Sequence, residues 1–280
     1  MAEPQRVALV TGASAGIGFE TALGLAHAGF HVIIAGRDPA RTEEAARSVC
    51  ERANSSAVET AIADFASLDA VRELAETVLA RHERLDVLVN NAGQITPRYQ
   101  KTEDGYEMTF AVNHLAPFLL TNLLLDRLRE SAPSRIVTVA SQAHKGAQLN
   151  LLRLHSERRW NSRKAYGRAK LCNILFTRSL ARRLEGSGVF TACLHPGVVR
   201  TAIGDRAGSL AGLGWRLVKP FLIGPEEGAE TSLFLATTAD PTTFYGTYVI
   251  GKKIAAPDAL ARDDDLAEQL WTESARLVGL

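Results

Sequence analysis

Cysteine is scarce in this chain and scattered. Cys50, Cys172 and Cys193 are the whole complement of 280 residues. An odd, unclustered count argues against a disulfide framework and against a zinc site, so no metal is expected. A reducing, cytoplasmic setting fits that usage. An excess of one charge is also missing. With 32 basic and 31 acidic residues the formal net charge is +1, and bulk electrostatics therefore predict no nucleic-acid partner. No run approaches the roughly 18 apolar residues that a spanning helix needs, and the opening MAEPQRVALVTG has no charged-then-apolar leader. The expectation is a soluble chain with no membrane span. Repeats, low-complexity tracts and a linker are absent too. What remains is ordinary: hydrophobic residues make up 46%, enough for a sizeable core.

The pattern that is present is an alternation of strand and helix. Short apolar runs at Val7–Thr11, His31–Ala35, Val58–Ile62, Leu85–Val89, Arg135–Ala140, Val189–Leu194 and Gly246–Gly251 read as strands, most of them buried on both faces. Helical periodicity separates them, including a long stretch from about Thr102 to Arg129, another from Ser162 to Gly186, and a C-terminal one from Asp263 to Val278. This order predicts an α/β fold: one doubly wound domain over residues 1–280, with a parallel sheet of about seven strands. The segment 198–224 is rich in glycine and apolar residues and reads as a lid over an apolar pocket, a subunit contact or a membrane-touching patch.

Candidate binding residues cluster where strands end. The first strand runs into Gly12-Ala13-Ser14-Ala15-Gly16-Ile17-Gly18 and then a helix. That context suits a pyrophosphate held at a helix N-terminus, although the spacing is Gly-x-x-x-Gly-x-Gly. At the end of the second strand Gly36 stands where an acid would hold a ribose 2′-hydroxyl, and Arg37 follows. A guanidinium there favours NADP; otherwise Arg37 is a solvated loop residue, or Asp38 takes the acidic role. Asp64 can meet an adenine amino group or cap the helix near Ser67. Asn90-Asn91-Ala92-Gly93 suits either a cofactor or a turn. Pro117 lies four residues after Asn113, so a kink or widened turn is expected there. Ser141 ends the fifth strand and faces the ligand cleft. Tyr166 and Lys170 lie one turn apart on a helix face, as a surface pair or as a proton donor beside a cation. His195, beside Pro196-Gly197, reads as a packed residue.

Together Thr11-Gly-x-x-x-Gly16-Ile17-Gly18, Asn90-Asn91-Ala92-Gly93, Asn113, Ser141, Tyr166-x-x-x-Lys170 and Pro196-Gly197 resemble a classical short-chain dehydrogenase/reductase over essentially the whole chain. The chain is most similar to the retinol dehydrogenase-like and protochlorophyllide reductase-like branch. The pointers are residues 112–118 (VNHLAPF), residues 195–201 (HPGVVRT) and the gap from Ser141 to Tyr166. The resemblance implies a catalytic tetrad of Asn113, Ser141, Tyr166 and Lys170. Tyr166 would exchange a proton with the substrate oxygen, its phenol lowered by the Lys170 ammonium. Ser141 would hold that oxygen, and Asn113 would order a water relaying protons to Lys170. It further implies NADP(H) contacts from Gly12, Ser14, Ala15, Gly16, Ile17, Gly18, Arg37, Asp64, Phe65, Asn91, Ala92, Gly93, Tyr166, Lys170, Pro196, Gly197, Val199 and Thr201. A homodimer or homotetramer paired through the long helices would fit the family. Ala169 departs from the serine that many relatives carry before the lysine, a change near the cofactor that leaves the tetrad intact. Membrane-bound retinol dehydrogenases carry an N-terminal anchor not seen here, so retinoids and a membrane location are not carried over.

The expected function is NADP(H)-dependent interconversion of a small hydrophobic ketone or aldehyde with its alcohol. Reduction of an activated C=C bond, and an NADP-binding sensor or scaffold without turnover, are the alternatives.

Overall fold

The computed structural model describes residues 5–154, 160–198 and 223–280. Seven parallel strands and one antiparallel strand form a single sheet in the order β3-β2-β1-β4-β5-β6-β7-β8. The strands are β1 (Val7–Thr11), β2 (His31–Gly36), β3 (Val58–Ile62), β4 (Val87–Asn90), β5 (Ser134–Val139), β6 (Val189–His195), β7 (Tyr248–Ile250) and β8 (Lys253–Ile254). Every residue of β1 and β4 is buried, as continuous apolar runs in the centre of a parallel sheet require. Chain order reverses between β1 and β4, so a crevice opens beyond their carboxyl ends.

The eighth strand was not expected. It pairs Ile250 with Lys253 across a two-residue turn, Gly251 at φ 55° and Lys252 at φ 63°. Two positive φ values give the turn type that matches the twist of a hairpin.

Helices cover both faces. On one side Ala8, Val10, Val32, Ile34 and Val89 pack against α1 (Gly16–His27), α2 (Pro39–Ala53) and α6 (Pro225–Thr237). On the other, Leu9, Ile33, Leu88 and Ile136 meet α3 (Leu68–Arg81), α4 (Met108–Glu130) and α5 (Ser162–Arg183). The C-terminal helix α7 (Asp264–Val278) lies on α5, where Trp271 packs against Phe118 and Phe176. Arg178, Arg182 and Arg183 pair there with Asp264 and Glu268. The outer face of α4 and α5, through which the resemblance pairs subunits, is thus partly occupied by the chain's own α7.

Two expectations about α4 need correction. It begins at Met108, not near Thr102. Residues before it turn through Gly105, Lys101 pairs with Glu107 in a bridge, and the Glu107 carboxylate caps the Thr109 and Phe110 N–H groups. The helix is also long and apolar enough, by length and composition, to cross a membrane, with a mean hydropathy of 1.4; 83% of that window is buried inside the protein. Polar residues such as Asn113 and Thr121 break up its apolar run, which hid it from inspection of the sequence. The widened turn, in contrast, is present. Residues Ala111–Leu115 form a π-turn in which the Ala116 N–H reaches back five residues to Ala111. Pro117 has no N–H to give the Asn113 carbonyl, which favours that wider winding.

Candidate active site

The glycine loop is braced from below by β4. Asn91 donates through Nδ2 to the carbonyls of Thr11 (2.8 Å) and Gly12 (3.2 Å). Thr11 Oγ1 accepts from the N–H groups of Asn91 and Ala92. The space is tight: a Cβ on Gly18 would lie 2.4 Å from Asn91 Nδ2 and 2.5 Å from the Gly12 carbonyl. The Asn91 side chain is therefore spent on shaping the loop rather than on reaching a cofactor. Ala15 at the N-cap of α1 supplies no side-chain acceptor. The first N–H groups of this helix thus remain available to an anion, beside Ser14 and Ile17. An uncapped helix start over a glycine loop is the donor set that a dinucleotide pyrophosphate needs.

At the end of β2 there is no room for an acid. A Cβ on Gly36 would come within 2.3 Å of Thr42 Oγ1. Asp38 does not take that role, because its carboxylate accepts from the Arg41 N–H and caps α2. Arg37 is exposed and lies 3.9 Å from Asp64. Asp64 does not cap α3; Ser67 does, and Asp64 accepts from the Ala66 N–H instead. Phe65 is buried in the core, so its side chain is not a cofactor contact. Val199, Thr201 and most of the segment 198–224 lie outside the described residues.

The structure brings the four tetrad residues together beyond the ends of β4 and β5. Tyr166 lies against Ser141, close enough for the serine hydroxyl to act on the phenol. Lys170 lies below the phenol, its Nζ 5.6 Å from the ring centre, and donates to the Val139 carbonyl at 2.7 Å. Gly93 marks the meeting point: a Cβ there would lie 2.6 Å from Asn113 Oδ1 and 3.5 Å from Lys170 Nζ. Asn113 donates to the carbonyls of Gln94 and Thr109, each at 2.7 Å, and its buried Oδ1 has no partner among the described residues. That oxygen is an open acceptor beside the lysine.

The electrostatics differ from the expectation that Lys170 lowers the phenol. Burial pushes Tyr166 above its ordinary value, and the Ser141 hydroxyl offsets this in part. Lys170, 3% exposed, is itself lowered by burial to about 8. The ammonium is poised to lose its proton not far above neutrality, and the dominant influence on both groups is removal from water.

Two residues that hold this arrangement went unnoticed in the sequence. Gly167 lets α5 touch the loop after β5, since a Cβ would lie 2.5 Å from the Ala143 carbonyl. That contact sets Tyr166 against Ser141. His144 is buried beneath the same loop. Its Nδ1 lies 2.6 Å from the Ser141 carbonyl and donates to it, leaving Nε2 to accept from the Asp258 N–H at 3.3 Å. A histidine three residues after the strand-end serine was the available signal. His195 is packed, as expected, with its imidazole lowered to about 4, chiefly by burial, the nearby Lys145 charge adding to this. With Pro196, Gly197, Glu227 and Lys252 it lines a cleft of about 340 Å³ beside the site.

Residues 6–209 match the family model for short chain dehydrogenases. The chain is 43% identical to human retinol dehydrogenase 13 over 287 residues, covering 99% of this chain and 86% of that protein. It is equally similar, at 43% over 277 residues, to mouse retinol dehydrogenase 12, covering 99% and 87%. Among solved structures, an uncharacterized protein from Mycobacterium paratuberculosis superposes with a TM-score of 0.80 at 34% identity, over 98% of this chain and 94% of that one. The NADP complex of Pseudomonas aeruginosa RhlG gives 0.71 at 28%, over 88% and 94%. The chain belongs to the short chain dehydrogenase family and is an alcohol/carbonyl oxidoreductase.

Proposed function

We propose that the protein interconverts a hydrophobic aldehyde or ketone with its alcohol, using NADP(H) in preference to NAD(H). The observation that carries this reading is the Tyr166 phenol, set beside Ser141 over a buried Lys170 and facing the crevice beyond β4 and β5. In the reductive direction the substrate oxygen sits between the hydroxyls of Ser141 and Tyr166. Tyr166 delivers the proton, and its raised pKa keeps that proton on the phenol until charge develops on the oxygen. Ser141 steadies that charge. The Lys170 ammonium supports the phenolate left behind, and Asn113 Oδ1 offers an acceptor through which a water can reach the lysine. When bound, NADP(H) supplies or takes up the hydride. The start of α1 would hold its pyrophosphate, and Arg37 would meet its 2′-phosphate, with no competing acid at Gly36 or Asp38.

Similarity to retinol dehydrogenases supports an apolar alcohol or carbonyl substrate. The test is a steady-state screen of apolar aldehydes, ketones, enones and alcohols with NADPH and NADH, with products identified by mass and ultraviolet absorbance. Conversion of aldehydes or ketones to alcohols, faster with NADPH, is expected. Preference for NADH, or saturation of the enone C=C bond in place of carbonyl reduction, would overturn the reading.

A further inference from the structure

At the opposite end of the sheet from Tyr166, three side chains that are far apart in sequence converge. His31 opens β2 and Glu59 lies near the start of β3. Glu59 pairs in register with Ile33, two residues after His31. Residues two apart on a strand share a face, so His31, Ile33 and Glu59 all point to the side covered by α3. His82 is the C-cap of α3 and closes the triangle.

The geometry is compact. His82 Nε2 is 2.5 Å and His31 Nε2 3.7 Å from Glu59 Oε1, and the three donor atoms lie within 4.8 Å of one another. The two imidazole rings lie 5.2 Å apart between centres, tilted by 51°. His31 Nε2 is buried and has no hydrogen-bond partner among the described residues, although it lies beside the other two donor atoms. A hydrogen-bonded His82–Glu59 pair would account for two of the side chains but leaves that third nitrogen unexplained.

We propose that His31, Glu59 and His82 bind one zinc ion. Tetrahedral zinc with bonds of about 2.0–2.1 Å places its donors about 3.3 Å apart, so changes in separation of at most about 1.5 Å complete the site. Two imidazoles and a carboxylate suit a borderline dication. Calcium and magnesium prefer all-oxygen shells, and copper(I) prefers thiolates. The side chains are 25%, 29% and 11% exposed, which leaves a fourth position open to water. The odd, unclustered cysteines argue against a zinc site built on thiolates; here the ligands are two imidazoles and a carboxylate, each from a different element. The ion would clasp β2, β3 and the end of α3. Five residues of β2 separate His31 from Gly36, about 17 Å, so the site stands apart from the catalytic crevice and acts on stability.

The test uses full-length protein, freed of purification tags, treated with chelator and dialysed against zinc. One equivalent per chain is expected. Zinc at about a hundred times its dissociation constant is expected to raise the melting temperature by about 5–10 °C. Glu59→Gln and His82→Gln are expected to lose both effects while keeping zinc-free turnover. X-ray absorption of the zinc-loaded wild type, which needs no variant, is expected to report two imidazoles and one carboxylate. Failure of the wild type to bind, equal binding by the variants, or a sulfur-containing shell would overturn the proposal.

Discussion

Replacing Lys170 by methionine is expected to abolish turnover and at the same time stabilise the fold. The ammonium is 3% exposed, and burial lowers it from its ordinary 10.5 to about 8. At about 1.4 kcal/mol per pH unit, keeping it charged in the native protein costs about 3 kcal/mol at pH 7. Methionine has a similar length and no charge. Its introduction removes one donor to the Val139 carbonyl, but Asn173 Nδ2 still donates there at 3.3 Å, so no buried acceptor is orphaned. For a chain of this size about 2–3 kcal/mol corresponds to a melting temperature higher by about 5–10 °C. The pH dependence separates this cause from better packing. Between pH 8 and 10.5 the unfolded chain holds the Lys170 proton more fully than the native one, so wild-type stability rises with pH across that window. The advantage of the variant is therefore complete at pH 7 and closes as the pH climbs towards 10.5. Circular-dichroism melts at pH 7, 8.5 and 10 read it directly. A destabilised variant at pH 7, or a gap that does not change with pH, would refute the reasoning.

Further outcomes follow from the same geometry. Reductive turnover is expected to fall above about pH 8, as Lys170 loses its proton while Tyr166, raised by burial, keeps its own; a pH–rate profile flat to pH 10 would count against this order of ionisation. Arg37→Ala is expected to raise KM for NADPH by about 10–100-fold and leave KM for NADH nearly unchanged, the loss of a charge-assisted contact. Gly167→Ala places a Cβ against the Ala143 carbonyl and is expected to cut kcat by about 100-fold through displacement of Ser141, with the NADPH dissociation constant, read by fluorescence, unchanged. If Gly167 mattered only as a weak helix former, alanine would instead stabilise the protein and leave kcat alone.

The parts of this molecule visible in its sequence are those governed by local chemistry. Val7–Val10 is apolar throughout because both faces of β1 are covered, and Gly12 to Gly18 announce the turn into α1. Tyr166 and Lys170 share a helix face by spacing alone, and Pro117 foretold the π-turn at Asn113. What stayed hidden depends on contacts between distant segments. The Gln94 carbonyl that orients Asn113, the Asp258 N–H that orients His144, and the Gly167 approach to Ala143 have no local signature. The start of α4 was misplaced because a carboxylate, Glu107, caps it two residues after a glycine turn, whereas the polar stretch before it carries a weak helical pattern. The acidity of the phenol was misjudged for a related reason. Sequence spacing brings a cation close but says nothing of the water that both groups lose on folding.

The central claim is that Tyr166 is the proton donor in carbonyl reduction. Single-turnover reduction of an aldehyde by prebound NADPH tests it most directly, comparing the wild type with Tyr166→Phe. Removing only the hydroxyl is expected to slow the reductive step by about 100-fold or more, while the fluorescence titration with NADPH is unaltered. A variant that binds NADPH normally and reduces the aldehyde at the wild-type rate would contradict the account.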